Sequence, residues 1–156
     1  MDMEMTVPAT PKTAGYTWRP IRRTDAAALH RMLLAVEAED RRGFVDTMDE
    51  RERDLEDPAS NFETDSMLAF TPDGEVAAMG WIFAPEEADQ FYLAYLWGEV
   101  HPEHRRRGLG EAALTWMEAR GRAILALAKM SEREAPWDLL RAFAELPGDD
   151  LRLVLA

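Results

Sequence analysis

Residues 98–111, Gly-Glu-Val-His-Pro-Glu-His-Arg-Arg-Arg-Gly-Leu-Gly-Glu, connect an apolar run to an amphipathic helix pattern. Gly108 and Gly110 permit a tight turn whose main-chain N–H groups converge on one point. The helix that follows adds its unpaired N–H groups and the positive end of its dipole. Arg106 and Arg107 can reach phosphate oxygens from the sides. The alternative is a basic turn that binds nothing, but the strand before it and the helix after it favour an anion-binding loop.

The sequence before this loop predicts most of the strands of a sheet. Residues 91–100 are apolar on both faces, as expected of a central strand. Residues 66–70 and 75–83 are apolar runs on either side of an Asp-Gly turn, which predicts a β-hairpin. A short strand is predicted at residues 16–19. Together with the helices, this order predicts an α/β fold with a central mixed sheet flanked by helices.

Helices are predicted on both sides of the hairpin in the sequence. One begins at Thr24 or Asp25, because the apolar residues after it recur with a 3.6-residue period. Residues 46–56 are highly charged and predict a short helix or an ordered loop. The helix after the arginine loop is predicted over residues 111–120, with Gly121 ending it.

The end of the chain is harder to assign. Residues 123–130 fit either a strand or a continuation of the preceding helix. Pro136 is predicted to open a helix that runs to Leu146. Residues 151–156 are predicted to form a last strand.

Composition limits the kind of protein. The 156 residues are enough for one domain, so we expect a mobile tail at residues 1–14 and a single domain over residues 15–156. The lack of cysteine excludes a disulfide scaffold, a thiolate nucleophile and a Cys-ligated zinc. The net charge of -12 argues against general attraction to nucleic acid or anionic membranes. No apolar stretch approaches the ~20 residues of a membrane span, so we expect a cytoplasmic protein.

The pattern Val-x-Pro-x-x-Arg-x-x-Gly-x-Gly after an apolar strand resembles the coenzyme A motif of the GNAT superfamily of N-acetyltransferases. The resemblance covers residues 16–146 in element order and residues 98–111 at motif level. It implies that main-chain N–H groups of residues 106–111 hold the pyrophosphate of acetyl-CoA. It also implies that residues 98–100 lie along the pantetheine arm on a bulged, splayed strand, and Gly98 suits such a bulge. The implied cofactor-binding residues are Gly98, Glu99, Val100, Arg105, Arg106, Arg107, Gly108, Leu109, Gly110 and Glu111.

Other phosphate-binding and metal-binding patterns do not fit. No Lys-Ser/Thr pair follows the glycines, and no Gly-x-Gly-x-x-Gly is present. His101 and His104 are separated by Pro102 and lack a third ligand, so we interpret them as loop residues and predict no metal site.

The resemblance implies acetyl transfer from acetyl-CoA to an amine of a small molecule or peptide. That reaction needs a neutral amine, a donor for the oxyanion and a proton source for the thiolate. A main-chain N–H near residues 98–100 could serve the oxyanion. Glu99 is the candidate general base, but it could instead cap the strand or pair with an arginine. Trp81, Trp97, Tyr92 and Tyr95 could line an acceptor pocket, although such aromatic residues more often form the core.

Two departures from the family pattern support a different role. Family members often carry a proton-donating tyrosine on the helix after the fifth strand, whereas the chain has no tyrosine beyond Tyr95 and Phe143 cannot donate a proton. The family also ends with two further strands, of which we expect only residues 151–156 here. A second subunit in a homodimer or a second GNAT-like domain could cover that open edge. Residues 39–58 are also similar to tandem family members, so the chain could be an N-terminal half. The alternative function is a non-catalytic module that binds acyl-CoA.

Overall fold

The computed structural model describes residues 7–84, 92–130, 138–146 and 149–155. Its strands form one sheet in sequence order, with β4 and β5 parallel and the other neighbours antiparallel. The strands are β1 (Thr17–Arg19), β2 (Ser66–Phe70), β3 (Val76–Phe83), β4 (Tyr92–Val100), β5 (Asp138–Leu146) and β6 (Asp149–Leu155). The helices are α1 (Ala26–Asp40), α2 (Met48–Glu56), α3 (Phe62–Asp65) and α4 (Leu109–Met130). The predicted α/β fold with a mixed sheet is confirmed.

The sheet separates two buried apolar clusters, one on each face. Helix α4 covers one face, where Trp116 and Met117 pack on the sheet. Helix α1 covers the other, where Leu29 and Met32 pack against Met79 of β3. Because β-strand side chains alternate between the faces, neighbouring residues of β4 belong to different layers. Among the described residues, no helix combines the length and apolar character needed to cross a membrane.

Helix α4 is longer than predicted. It continues through Gly121 to Met130, so the predicted end at Gly121 is wrong and residues 123–130 are helical. A glycine inside a helix costs only about 1 kcal/mol. Here Gly121 is buried, and apolar Met117 and Leu125 lie one turn before and after it on the same face. Burial of that face therefore outweighs the poor helix propensity of glycine.

The predicted helix from Pro136 to Leu146 is also wrong. Residues 138–146 form β5, which pairs with β4 on one side and with β6 on the other. Its Ala- and Leu-rich sequence favours a helix locally, but two flanking strands satisfy its main chain on both sides. The predicted last strand is confirmed as β6, beginning at Asp149. Ala156 and Pro136 lie outside the described residues.

Strand β4 carries no bulge between β3 and β5, contrary to the expectation for Gly98. The β3–β4 register is continuous from Ala78↔Val100 to Phe83↔Tyr95. Gly98 instead lies opposite Gly80 of β3, and a Cβ at Gly98 or Gly80 would come within 3.1 Å of the Met117 side chain. Both glycines therefore allow Met117 to approach the bare backbone of the sheet.

Strands β4 and β5 part after Gly98. Their pairing ends at Gly98↔Ala144, although β4 continues to Val100 and β5 to Leu146. Since His101 N donates to Ala77 O at 2.8 Å, alternation along β4 directs the Val100 N–H toward the β5 side. The splayed end that the family resemblance implied is therefore present without a bulge.

The described part of the predicted tail contacts α4. Residues 7–14 form no helix or strand, but Val7 packs against the apolar cluster under α4. The Trp116 indole N–H donates to Pro8 O at 3.3 Å. Residues 1–6 lie outside the described residues, so a mobile tail stays a prediction for them.

Asp25 anchors the start of α1, and its replacement by asparagine should destabilise the fold by about 2 kcal/mol. Its carboxylate accepts bonds from Arg19 Nη1 at 2.7 Å and Nη2 at 2.8 Å, and from Arg22 N at 2.7 Å. Burial alone would raise the pKa of Asp25, but the bonds from Arg19 and Arg22 lower it overall.

A lowered pKa means that the unfolded chain takes up this proton first as the pH falls. The stabilisation should therefore be complete above about pH 4 and disappear at lower pH. Urea unfolding of the original protein and of Asp25→Asn across that pH range measures the difference in their free energies of unfolding. A difference that stays constant down to the most acid condition would contradict this role of Asp25.

Candidate functional site

The arginine loop is irregular and ends in the first turn of α4. Residues 105–108 form a turn, in which Arg106 has φ +64° and Gly108 has φ +83°. The first main-chain bond of α4 runs from Ala112 N to Gly108 O at 3.0 Å. Among the described residues, no oxygen accepts a bond from the main-chain N–H groups of residues 106–111. These N–H groups are available to an anion.

A cavity of about 530 Å³ lies against this loop. Seven of the ten residues predicted to bind the cofactor line it, with Glu39 of α1, Pro102 and His104 completing the wall. The seven are Val100, Arg105, Arg106, Gly108, Leu109, Gly110 and Glu111. Gly98, Glu99 and Arg107 do not line this cavity. Its wall thus runs from the splayed end of β4 to the first turn of α4, where the N–H groups have no acceptor among the described residues.

Arg105 lines the cavity, but its guanidinium is engaged elsewhere. Its Nη1 and Nη2 each donate to Asp40 at 2.9 Å, and its Nε donates to Val100 O at 3.2 Å. This paired geometry is specific to arginine. Arg105 therefore ties the loop to the end of α1 and to the end of β4.

Two arginines of the loop have exposed side chains. Arg106 lies at the cavity wall, and Arg107 Nη1 donates to the Tyr16 hydroxyl at 3.2 Å. The same hydroxyl is hydrogen-bonded to His104 Nδ1 at 2.7 Å. Burial lowers the pKa of His104, and the positive charge of Arg107 lowers it further. His104 thus acts as a neutral support of the loop near pH 7.

Glu99 lies on the α1 face of β4 and is 4% exposed. Its Oε1 accepts from Arg42 Nη2 at 2.8 Å and from Trp97 Nε1 at 3.3 Å. The structure thus contains the arginine pairing that the sequence left as an alternative to general-base catalysis.

Arg42 was not identified from the sequence. It lies between Arg41, which ends α1 at φ +49°, and Gly43 at φ +93°. These two left-handed residues turn the chain back over the sheet, so the Arg42 side chain reaches Glu99. A glycine shortly after a helix end was the available signal for the turn. Nothing local indicated the partner 57 residues further along the chain.

A second cavity, of about 330 Å³, opens beside Trp97 on the α1 face of the sheet. We call it the aromatic cleft. Its lining residues are Asp54, Asp57, Ser60, Trp81, Phe83, Tyr95 and Trp97. The sequence had suggested three of these, Trp81, Tyr95 and Trp97, as pocket or core residues. All three side chains are partly exposed.

Comparison with known families gives one match that covers most of the chain. Residues 29–141 match the model of the acetyltransferase (GNAT) family. No curated protein is similar enough to be matched to the chain.

Solved structures of acetyltransferases share the fold at low sequence identity. A GCN5-related N-acetyltransferase from Sphaerobacter thermophilus is 23% identical with a TM-score of 0.60 over 83% of this chain. This chain spans only 38% of that protein. A GNAT-family acetyltransferase from Streptococcus pneumoniae is 22% identical, with a TM-score of 0.59 over 81% of this chain and 73% of its own. The ribosomal-protein-alanine N-acetyltransferase from Brucella melitensis is 21% identical, with a TM-score of 0.52 over 86% and 85%.

Proposed function

The chain belongs to the GNAT acetyltransferase family, and we propose that it transfers an acetyl group from acetyl-CoA to an amine of a small molecule or peptide. The observation that carries the proposal is the cavity between the splayed end of β4 and the first turn of α4. Its wall offers main-chain N–H groups at one end and a parted strand at the other.

The loop can hold the pyrophosphate of acetyl-CoA. The N–H groups of residues 106–111 have no acceptor within the described part of the chain, and they lie at the positive end of a 22-residue helix. Arg106 adds a positive charge at the cavity wall. Arg105 contributes indirectly, because its bonds to Asp40 and Val100 fix the loop.

The end of β4 can support the chemistry. The Val100 N–H points to the side where β5 has parted, so it can donate to the oxyanion that forms as the C–N bond is made. The Glu99 carboxylate can accept the proton of the attacking amine, directly or through a water. When the C–S bond breaks, the thiolate takes up a proton. That proton comes from solvent, to which Glu99 in turn returns the proton of the amine.

A non-catalytic acyl-CoA-binding module is the second candidate function. It is favoured by the lack of a tyrosine at the usual position of the proton donor. Tyrosine occurs only at positions 16, 92 and 95, and within the described residues no helix follows β5. In that case the loop would bind the coenzyme and Glu99 would serve the structure through Arg42.

Titration calorimetry with acetyl-CoA, followed by thiol release across a panel of amines, tests the proposal. We expect acetyl-CoA to bind and at least one amine to produce free thiol above the rate of hydrolysis. Binding without release for any amine would favour the module. Failure to bind acetyl-CoA would contradict both candidates.

A further inference from the structure

The aromatic cleft lies on the same face of β4 as Glu99. Tyr95, Trp97 and Glu99 are alternate residues of the strand, and the Trp97 indole N–H donates to Glu99 Oε1 at 3.3 Å. One wall of the cleft is therefore in direct contact with the candidate general base. A molecule whose reacting group lies beside Glu99 can extend into the cleft.

The floor of the cleft is aromatic. The rings of Trp81 and Trp97 are 5.8 Å apart between centroids, and those of Phe83 and Tyr95 are 6.4 Å apart. The chain already places one cation against this surface, since Arg51 Cζ lies 5.6 Å from the ring centroid of Trp97. Faces of aromatic rings attract cations through their quadrupole.

The wall contributed by α2 is strongly acidic. Residues 46–57 contain seven carboxylates and two arginines, so this segment carries five excess negative charges. Asp54 and Asp57 line the cleft at the C-terminal end of α2, where the helix dipole adds negative potential. Burial raises the pKa of Asp54, and its ion pair with Arg51 Nη1 at 3.0 Å opposes this, but the charges of Asp46 and Glu50 raise it further. A cation entering the cleft would relieve this repulsion.

This inference rests on the proposed transferase function. We propose that the acceptor molecule carries two groups: an amine that reacts beside Glu99, and a second, cationic group that the aromatic cleft holds. The group held in the cleft is not the nucleophile. Nearby carboxylates stabilise a protonated amine, and a protonated amine has no lone pair with which to attack. The acceptor is thus a diamine, a polyamine or another amine with a separate positive charge.

The strand sets the spacing between the two groups. Trp97 and Glu99 are two residues apart, which is about 7 Å along a β-strand, and Tyr95 lies about 7 Å further. Acceptors whose two nitrogens are separated by about 7 to 14 Å should therefore fit best.

Matched amines test this directly. Linear diamines of increasing chain length are compared with monoamines of the same length in the thiol-release assay. We expect kcat/KM of the best diamine to exceed that of its monoamine by roughly 10- to 30-fold. The preference should shrink as salt is added, because the groups are partly exposed. Equal kcat/KM values for the two series would overturn the proposal.

One substitution in the cleft and a matched one outside it locate the effect. Asp57→Asn keeps the oxygen that accepts from Ala59 N at 2.9 Å, so it removes the charge and retains the turn. It should reduce the diamine preference by roughly 3- to 5-fold. The matched control is Asp73→Asn, which removes an exposed carboxylate from the turn between β2 and β3. Equal losses in both variants would indicate long-range attraction by the acidic protein and would overturn the cleft assignment.

The aromatic contribution is tested without changing charge. Trp81→Phe retains an aromatic face, whereas Trp81→Leu retains apolar volume alone. We expect the diamine preference to survive in the phenylalanine variant and to fall by roughly 2- to 5-fold more in the leucine variant.

Calorimetry with the best-fitting diamine in the absence of acetyl-CoA separates this inference from the proposed function. If the diamine binds, binds more weakly to Asp57→Asn, and yet no thiol is released once acetyl-CoA is added, the cleft is supported and the transferase function is contradicted. Turnover of monoamines and diamines at equal rates, unaffected by Asp57→Asn, would support the transferase and overturn the cleft.

Discussion

Replacing Gly110 by glutamate is expected to weaken acetyl-CoA binding by roughly 1000-fold. Gly110 is the second residue of α4 and lines the cavity beside the unpaired N–H groups. A carboxylate there would occupy the anion position and repel the pyrophosphate. Loss of two charge-assisted hydrogen bonds alone amounts to about 3 to 6 kcal/mol. Titration calorimetry of the variant with acetyl-CoA measures the change.

The same substitution should leave the fold intact. A glutamate in the first turn complements the helix dipole, so the melting temperature should hold or rise. Gly110→Ala is the control, because it adds a methyl group without charge and should weaken binding by less than about 10-fold. Normal affinity in the glutamate variant would show that the first turn of α4 does not bind the coenzyme.

Replacing Glu99 by glutamine should lower kcat for the preferred amine by roughly 100-fold or more, because a glutamine cannot accept the proton of the amine. The amide oxygen can still accept from Arg42 and Trp97, so the local structure is retained. Affinity for acetyl-CoA should change by less than about 2-fold. Thiol-release kinetics and calorimetry on the same preparation separate the two quantities.

Glu63→Gln is the matched control for this experiment, since Glu63 is an exposed carboxylate on the short helix α3. It should leave kcat unchanged. A Glu99→Gln variant that keeps the full rate would remove Glu99 from the chemistry and leave it a structural partner of Arg42. A variant that loses affinity together with rate would place Glu99 in coenzyme binding instead.

The parts of the fold that could be predicted are those set by neighbouring residues. The Asp73-Gly74 turn with apolar runs on both sides determines the β2–β3 hairpin locally, and the apolar period after Asp25 determines α1. The segment 138–146 was misassigned because its composition favours a helix. Its pairing with β4, more than 40 residues away in the chain, decides its structure.

In the candidate site, too, the part formed by consecutive residues could be predicted and the long-range contacts could not. The arginine loop was predicted because the glycines, the preceding strand and the following helix are consecutive in the sequence. The contacts that hold the loop and Glu99 in place join distant residues, Arg105 with Asp40 and Arg42 with Glu99. The aromatic cleft was only partly foreseen, because its acidic wall belongs to α2, whose packing beside β4 leaves no local sequence signal.

The contact between Met117 and the paired glycines of β3 and β4 determines how deeply α4 is seated on the sheet. Because Gly80 and Gly98 present bare backbone, the thioether lies lower than it could over any side chain. Met117 lies eight residues beyond the start of α4, so a methyl group at either glycine would push the helix outward behind its first turn. Even a small tilt would move the N–H groups of that turn relative to the Val100 N–H. Two residues with no chemistry of their own thereby set the distance that a bound coenzyme would span between its diphosphate and its thioester.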